Sequence, residues 1–455
     1  MRRREPLRTI VGLDVGSSVI TTLIAAVEAD GGLAFVAGAE TPSRGVRGGV
    51  IANVEAATAA IAAALDHIED ISGQRVGAAY LSLGGAHQGS RNAVGYAPLY
   101  AQDDVAGQPG HFGARRGRAH AEPPQAPTAA REVTRANIAQ AIAAARLTIP
   151  ADERRETLHV IPRAYAVDDV VGVRNPLGMV GFELGVEIHV VSGAGGACQN
   201  LIKCARGARI EPVDLVAGPV AASEGILGPL ASRSEALTVA IADIGAETTD
   251  LALYADGTLW RSLTLPVGAA SVTRDIASDL RLPFEVAEAL KRQYGHADAR
   301  QIAEDDLIEL QPLTGRDELT PRRLLAEIVE ARVRELADAL REPLLAAHRA
   351  DVWPETLLLT GGGAQLSGLA DLLTDDLHIP TQVTLPQGVR GLPAELAQPG
   401  FAVATGLVVW SARQWRQRTA TAPRSATRQT LLPQVSRFSR AVSSFWRRAD
   451  GAAHA

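Results

Sequence analysis

The reading of this chain turns on Val239-Ala240-Ile241-Ala242-Asp243-Ile244-Gly245-Ala246-Glu247-Thr248-Thr249-Asp250-Leu251-Ala252-Leu253-Tyr254. Apolar residues run up to Asp243, and a turn with one Gly and two Thr follows. Apolar residues then return at alternating positions to Tyr254. That pattern predicts a strand, a tight turn and a second strand.

A second copy lies near the start. Ile10-Val11-Gly12-Leu13-Asp14-Val15-Gly16-Ser17-Ser18 leads into Thr22-Leu23-Ile24-Ala25-Ala26-Val27. Each copy has Asp, one apolar residue, Gly and a turn with two hydroxyl residues. Each second strand ends in a hairpin signal, Ala29-Asp30-Gly31-Gly32-Leu33 in one and Ala255-Asp256-Gly257-Thr258-Leu259 in the other. A spaced duplication of this kind predicts two halves built alike.

The residue types carry a chemistry. Gly lets backbone N–H groups approach a phosphate closely, and Ser or Thr hydroxyls add donors. An Asp at a strand end suits hydrated Mg²⁺, which takes carboxylate oxygen and water. One such turn is an ordinary hairpin more often than a ligand site. Two copies in equivalent contexts set a phosphate clamp against that plain alternative.

Composition narrows the field. A chain of 455 residues exceeds a single core, and roughly two to four domains are expected. Hydrophobic residues at 46% and charged residues at 21% describe a globular chain. A net charge of -6 gives no case for nucleic acid. Cys198 and Cys204, six apart in one expected helix, form no metal pattern, so a reducing compartment is the simpler inference. The segment after Met1 lacks the apolar run of a signal peptide, and no stretch has the length of a membrane span.

Further along, residues 56–69 have an amphipathic pattern with Asn53 as N-cap. Residues 102–130, dense in Gly, Pro, Arg and His, are expected to be disordered. His111 and His120 lie there without any metal-ligand spacing. Thr134 is expected to cap a helix over 135–146. Pro219 to Leu227 is expected to be a helix packed through small residues. Residues 324–345 read as a long amphipathic helix with charge pairs such as Glu330 and Arg334. Thr356-Leu357-Leu358-Leu359-Thr360 runs into Gly361, Gly362 and Gly363. Such a junction meets an anion or an adenine-ribose unit, or is simply a turn.

The end of the chain differs. Residues 411–430 have no periodicity and are expected to be a linker. Leu431, Leu432, Val435, Phe438, Val442, Phe445 and Trp446 then fall at helical spacing, with Arg437, Arg440, Arg447 and Arg448 elsewhere. From 411 onward there are nine Arg against one Asp. A helix lying in an anionic membrane surface fits this pattern, and docking on a partner or on the body is the alternative. Self-assembly would multiply one weak anchor.

Taken in order, these pieces resemble the actin–Hsp70–sugar-kinase superfamily and, within it, the FtsA family of bacterial division proteins. Ser43-Arg44-Gly45-Val46-Arg47-Gly48-Gly49-Val50-Ile51, Leu158-His159-Val160-Ile161-Pro162, Asn175-Pro176-Leu177-Gly178-Met179, Gln199-Asn200-Leu201-Ile202-Lys203-Cys204 and Ala287-Glu288-Ala289-Leu290-Lys291-Arg292-Gln293-Tyr294-Gly295 carry the resemblance.

The resemblance implies an α/β, actin-like ATPase fold of two duplicated RNase H-like halves. It has a small inserted α/β subdomain and a C-terminal amphipathic helix on a flexible linker. Residues 8–84, 166–232 and 388–410 would form the first half and 85–165 the insert. Residues 233–387 would form the second half, with a small subdomain at about 281–324. The linker would span 411–430 and the membrane helix 431–448.

The resemblance also implies ATP with Mg²⁺ between the halves. Asp14, Gly16, Ser17 and Ser18 would form the first phosphate loop. Asp243, Gly245, Thr248 and Thr249 would form the second. Asp14 and Asp243 would hold Mg²⁺ through water. Gly361, Gly362 and Gly363 would meet the adenosine, with Glu288 and Lys291 toward the ribose. Implied partners are the FtsZ C-terminal peptide, further copies of the chain in a filament, other divisome proteins and an anionic membrane. The implied place is the cytoplasmic face of the membrane at the division septum.

Two departures bear on hydrolysis. The family's second loop usually reads Asp-Ile-Gly-Gly-Gly-Thr-Thr, whereas Ala246 and Glu247 stand here. A carboxylate facing a polyphosphate is unfavourable. Gly218 stands where the family tends to have Glu before the Pro-x-Ala-Ser helix. A water-orienting group there is worth about 10²- to 10⁴-fold, so weak or absent hydrolysis is expected. The alternatives are an actin-like adaptor of a type IV pilus machine and a sugar- or acetate-kinase-like enzyme. The kinase would need a general base or substrate-binding acid that no motif here supplies.

Overall fold

The computed structural model describes residues 8–99, 130–228, 238–311 and 319–421. The expected membrane helix at 431–448, the second part of the expected linker and nearly all of the loop at 102–130 lie outside the described residues. Two compact units are present. One is built from Met1–Gly89, Gly193–Thr258 and Ser262–Ala455, the other from Ser90–Ser192 with Leu259–Arg261.

The chain opens with β1 (Thr9–Val15), β2 (Val19–Val27) and β3 (Leu33–Pro42), an antiparallel meander. A short pair, β4 (Val46–Arg47) and β5 (Val50–Ile51), precedes α1 (Val54–Ser72) and β6 (Ala78–Leu83). Asn53 caps α1 by accepting from the Ala56 N–H, and Gly73 ends it in the left-handed region.

The second unit follows. It contains β7 (Gly89–Pro98), β8 (Arg131–Glu132), α2 (Arg135–Leu147), β9 (Arg155–Val167), β10 (Val170–Val173), β11 (Val180–Gly181) and β12 (Glu183–Ala194). Its sheet has the order β10-β9-β12-β7. Thr134 and Asn137 form a capping box on α2. That helix lies close on β7, since a Cβ on Gly95 would come within 2.1 Å of the Ala145 nitrogen. The unit therefore runs to Ser192, beyond the limit at 165 drawn from sequence. Within 166–192, β10 and β12 join β9 in one sheet while β11 pairs with β8, and hydrophobic alternation alone does not say which sheet a strand joins.

The chain then returns through α3 (Gly195–Gly207), β13 (Glu211–Ala217) and α4 (Gly218–Leu227). Next come β14 (Val239–Ile244), β15 (Thr249–Ala255), β16 (Thr258–Leu265), α5 (Ala269–Asp279) and α6 (Phe284–Tyr294). After β17 (Leu307–Glu309), β18 (Leu319–Pro321) and α7 (Arg322–His348) come β19 (Thr356–Thr360), α8 (Leu369–Leu377), β20 (Thr381–Val383) and α9 (Ala402–Thr421).

The larger unit contains two five-stranded sheets, β13-β6-β1-β2-β3 and β16-β15-β14-β19-β20. Each centres on a strand with an antiparallel hairpin partner on one side and a parallel strand on the other. The duplication read from two turns thus extends to whole sheets.

Helices α4 and α9 cross at small residues. A Cβ on Gly406 would lie 1.7 Å from the Ala221 carbonyl oxygen, and one on Gly225 2.0 Å from that of Ala402. Helix α9 also lies over β1, where a Cβ on Gly12 would meet the Ala404 carbonyl oxygen at 2.7 Å. This helix runs to Thr421, through the start of the expected linker, and Ser411 and Ala412 are buried. It shows no amphipathic period because most of its first eleven residues are buried on every side.

Candidate functional site

The two Asp-x-Gly turns close in the same way. The Gly16 N–H donates to the Val19 carbonyl at 3.1 Å, and the Gly245 N–H to the Thr248 carbonyl at 2.9 Å. Asp14 and Asp243 each stand one residue before the end of their strands. Gly361, with φ 83°, comes against Asp243. A Cβ there would be 2.2 Å from Asp243 Oδ1 and 2.5 Å from the Ile244 carbonyl oxygen. Gly363 packs on the Ile244 side chain, and Gly362 is open to solvent.

The hydroxyl residues are used unequally. Ser17 Oγ accepts from the Gly49 N–H at 3.1 Å, and Ser18 is exposed. Thr248 is half-buried. Thr249 is fully buried and donates to the Val267 carbonyl at 2.8 Å, which commits a hydroxyl expected to face a phosphate.

Three carboxyls gather at the strand ends. Burial pushes Asp14 up to about 6, although a 2.5 Å hydrogen bond from Ser82 opposes it and Glu40 adds repulsion. Burial raises Asp243 well above the usual range, and the charges of Asp250 and Asp14 raise it further. Burial lifts Asp250 to about 7 against a 2.5 Å hydrogen bond from Thr264, with Asp14 again adding repulsion. Asp243 and Asp250 are direct cross-strand partners, an arrangement unfavourable for like charges. Among the described residues, no group of three or more His, Cys, Asp or Glu side chains is placed to hold a metal ion directly, so these carboxyls suit a hydrated divalent cation met through water rather than a cage of protein ligands.

Glu288 and Lys291 form a 2.7 Å ion pair on α6. Lys291 Nζ also donates to the Ala269 carbonyl at 3.2 Å and to Thr273 Oγ1 at 2.8 Å, tying α6 to α5. Burial pushes Glu288 upward, but hydrogen bonds from Lys291 and Thr273 outweigh it and hold the carboxyl low.

The groups that support the strand-end carboxyls lie outside the sequence motifs. Ser82 accepts from the Val15 N–H while donating to Asp14, and Gln88 donates to Thr264, the partner of Asp250. Glu40 feels both Arg292 and Asp14. None of these stands in a motif, and only the strand neighbours bring them in.

Duplicated sheets of one order, each with an Asp-x-Gly turn at the same strand end, define an actin-like protein. A solved PilM-PilN type IV pilus biogenesis complex shares the fold at TM-score 0.60. It is 21% identical, over 90% of this chain and 99% of that one.

The family model for cell division protein FtsA matches residues 240–406, and that for the SHS2 domain inserted in FtsA matches 120–192. Cell division protein FtsA of Pseudomonas aeruginosa is 32% identical over 406 residues, 89% of each chain. That of Borreliella burgdorferi is 30% identical over 408 residues, 89% of this chain and 91% of the relative. The chain belongs to the FtsA family of cell division proteins. Among the described residues, no helix is long and apolar enough to cross a membrane.

Proposed function

We propose that this actin-like cell-division protein binds ATP, anchors FtsZ to the cytoplasmic membrane and self-assembles into filaments, with weak or no hydrolysis. The observation that supports the nucleotide reading is the approach of Gly361 to Asp243, whose carboxyl also feels the charge of Asp14. In this reading Asp14, Gly16, Ser17 and Ser18 line one phosphate turn and Asp243, Gly245 and Thr248 the other. Thr249 supports its turn from within. Asp14 and Asp243 hold Mg²⁺ through water, and the cation supplies charge neutralisation. Gly361, Gly362 and Gly363 meet the adenosine, with Glu288 and Lys291 beside it. Hydrolysis is weak because Gly218 offers no group to orient water and Glu247 opposes phosphate charge.

The tether is the tail at 431–448, whose apolar and aromatic residues and Arg excess suit an anionic surface at the division septum. Calorimetric titration with ATP and Mg²⁺, run beside a phosphate-release assay, tests the nucleotide reading. Binding with little release is expected, and robust phosphoryl transfer to a small molecule would replace the reading with a kinase. Removing residues 431–448 should release the protein from anionic liposomes. Capture by an FtsZ C-terminal peptide tests the partner.

A further inference from the structure

Glu247 puts a carboxylate at the tip of a turn that, in the nucleotide reading, faces phosphate. Its Oε2 accepts a 2.5 Å hydrogen bond from the Gly48 backbone N–H, 199 residues away. Gly48 and Gly49 both have positive φ, 56° and 74°. The Gly49 N–H donates to Ser17 Oγ at 3.1 Å, and the Ser43 N–H donates to the Ser18 carbonyl at 2.9 Å. The loop at 43–51 is therefore tied to the first turn at two points and to the second turn through Glu247. Its path is constrained, since a Cβ on Gly49 would lie 2.4 Å from the Gly85 nitrogen. The second turn is held from behind as well. The Ala269 N–H donates to the Gly245 carbonyl at 2.9 Å, and the Ala270 N–H to the Ala246 carbonyl at 2.7 Å.

We propose that Glu247 is a latch: its carboxylate takes the Gly48 N–H that would otherwise serve a nucleotide's terminal phosphate, joining the two turns until a triphosphate displaces it. The competition rests on the nucleotide reading, whereas the latch itself does not. A carboxylate on a backbone N–H makes a charge-assisted bond, stronger than a neutral one. Its loss frees the donor and leaves the loop held to the first turn alone. In this competition a triphosphate brings more negative charge against the Glu247 carboxylate than a diphosphate does, so the two ligands should respond differently to its removal.

The test uses the full chain with E247A and E247Q. Without nucleotide, hydrogen exchange at residues 44–52 should be about tenfold faster or more in E247A, with E247Q between, because the amide keeps an acceptor. Equal exchange in wild type and E247A overturns the latch. E247A should also bind ATP about ten- to hundredfold more tightly, with a smaller gain for ADP. No gain, or an equal gain for both, overturns the competition. If neither protein binds any nucleotide, the nucleotide reading and the competition fall together, and exchange still decides the latch.

Discussion

A Cβ on Gly218 would stand 1.9 Å from Asp250 Oδ2, so the missing side chain and the buried carboxylate are one feature. Asp250 fills the space that a residue at 218 would need, and Thr264 and Gln88 hold it there. Restoring a carboxylate at 218 therefore does not restore a water-orienting group. G218E should lose about 1–3 kcal/mol through overpacking and gain no phosphate release. D250A in the same chain should recover part of the loss. Urea unfolding and a phosphate assay on wild type and both variants check this.

The carboxyl cluster should make the larger unit less stable as pH rises. Asp14 and Asp250 titrate in the folded protein at about 6 and about 7, above the ordinary 3.8. The folded state thus binds these protons more tightly. The stability they contribute is complete below the ordinary value and is lost as pH rises through the folded values. D250N keeps the shape of the protonated form and removes one of these titrations. Its unfolding free energy should gain on wild type between about pH 4 and about pH 7. A constant difference across that range would count against the raised value.

The inserted unit should respond in the opposite sense. Burial lowers His159 to about 4 and His189 to about 3, with the charges of Arg163 and His159 adding to the latter. The stability of the neutral rings is present above the ordinary 6.5 and is lost as pH falls from there toward 4. In H159N, proteolysis within 130–192 should depend less on acid than in wild type. Mass mapping of the fragments reads it.

Lys291 should support both stability and ligand affinity. K291M removes the 2.7 Å partner of Glu288 and the two Lys291 hydrogen bonds to α5, leaving Arg292 at 2.8 Å and the Thr273 hydroxyl at 2.5 Å on the carboxylate. A loss of about 1–3 kcal/mol is expected from removing a charged hydrogen-bond partner of a half-buried carboxylate. E288Q added to K291M should return part of that loss, which a double-mutant cycle measures. Nucleotide affinity should fall in K291M alone.

Local chemistry was legible where neighbours in sequence decide it. Asp256 and Gly257, read as a hairpin signal, adopt φ 50° and 69°, the two positive values a type I′ turn requires. Asn53 and Thr134 cap the helices they were expected to cap. The insert boundary was not legible, because β9 and β12 resemble any other alternating strands until their partners are known. The linker was drawn too early because a helix buried on several faces has no polar period to read.

By itself the sequence determined the repeated turn, the strand on either side of it and the family. Each of these depends on residue types a few positions apart, which set backbone preference and hydrophobic period. Tertiary structure alone decided that Asp250 occupies the space at Gly218, that Thr249 turns inward and that Glu247 reaches Gly48. It also set the raised proton affinity of Asp14, Asp243 and Asp250. Desolvation and steric exclusion come from atoms brought close by folding, and their distance along the chain leaves no local pattern to read.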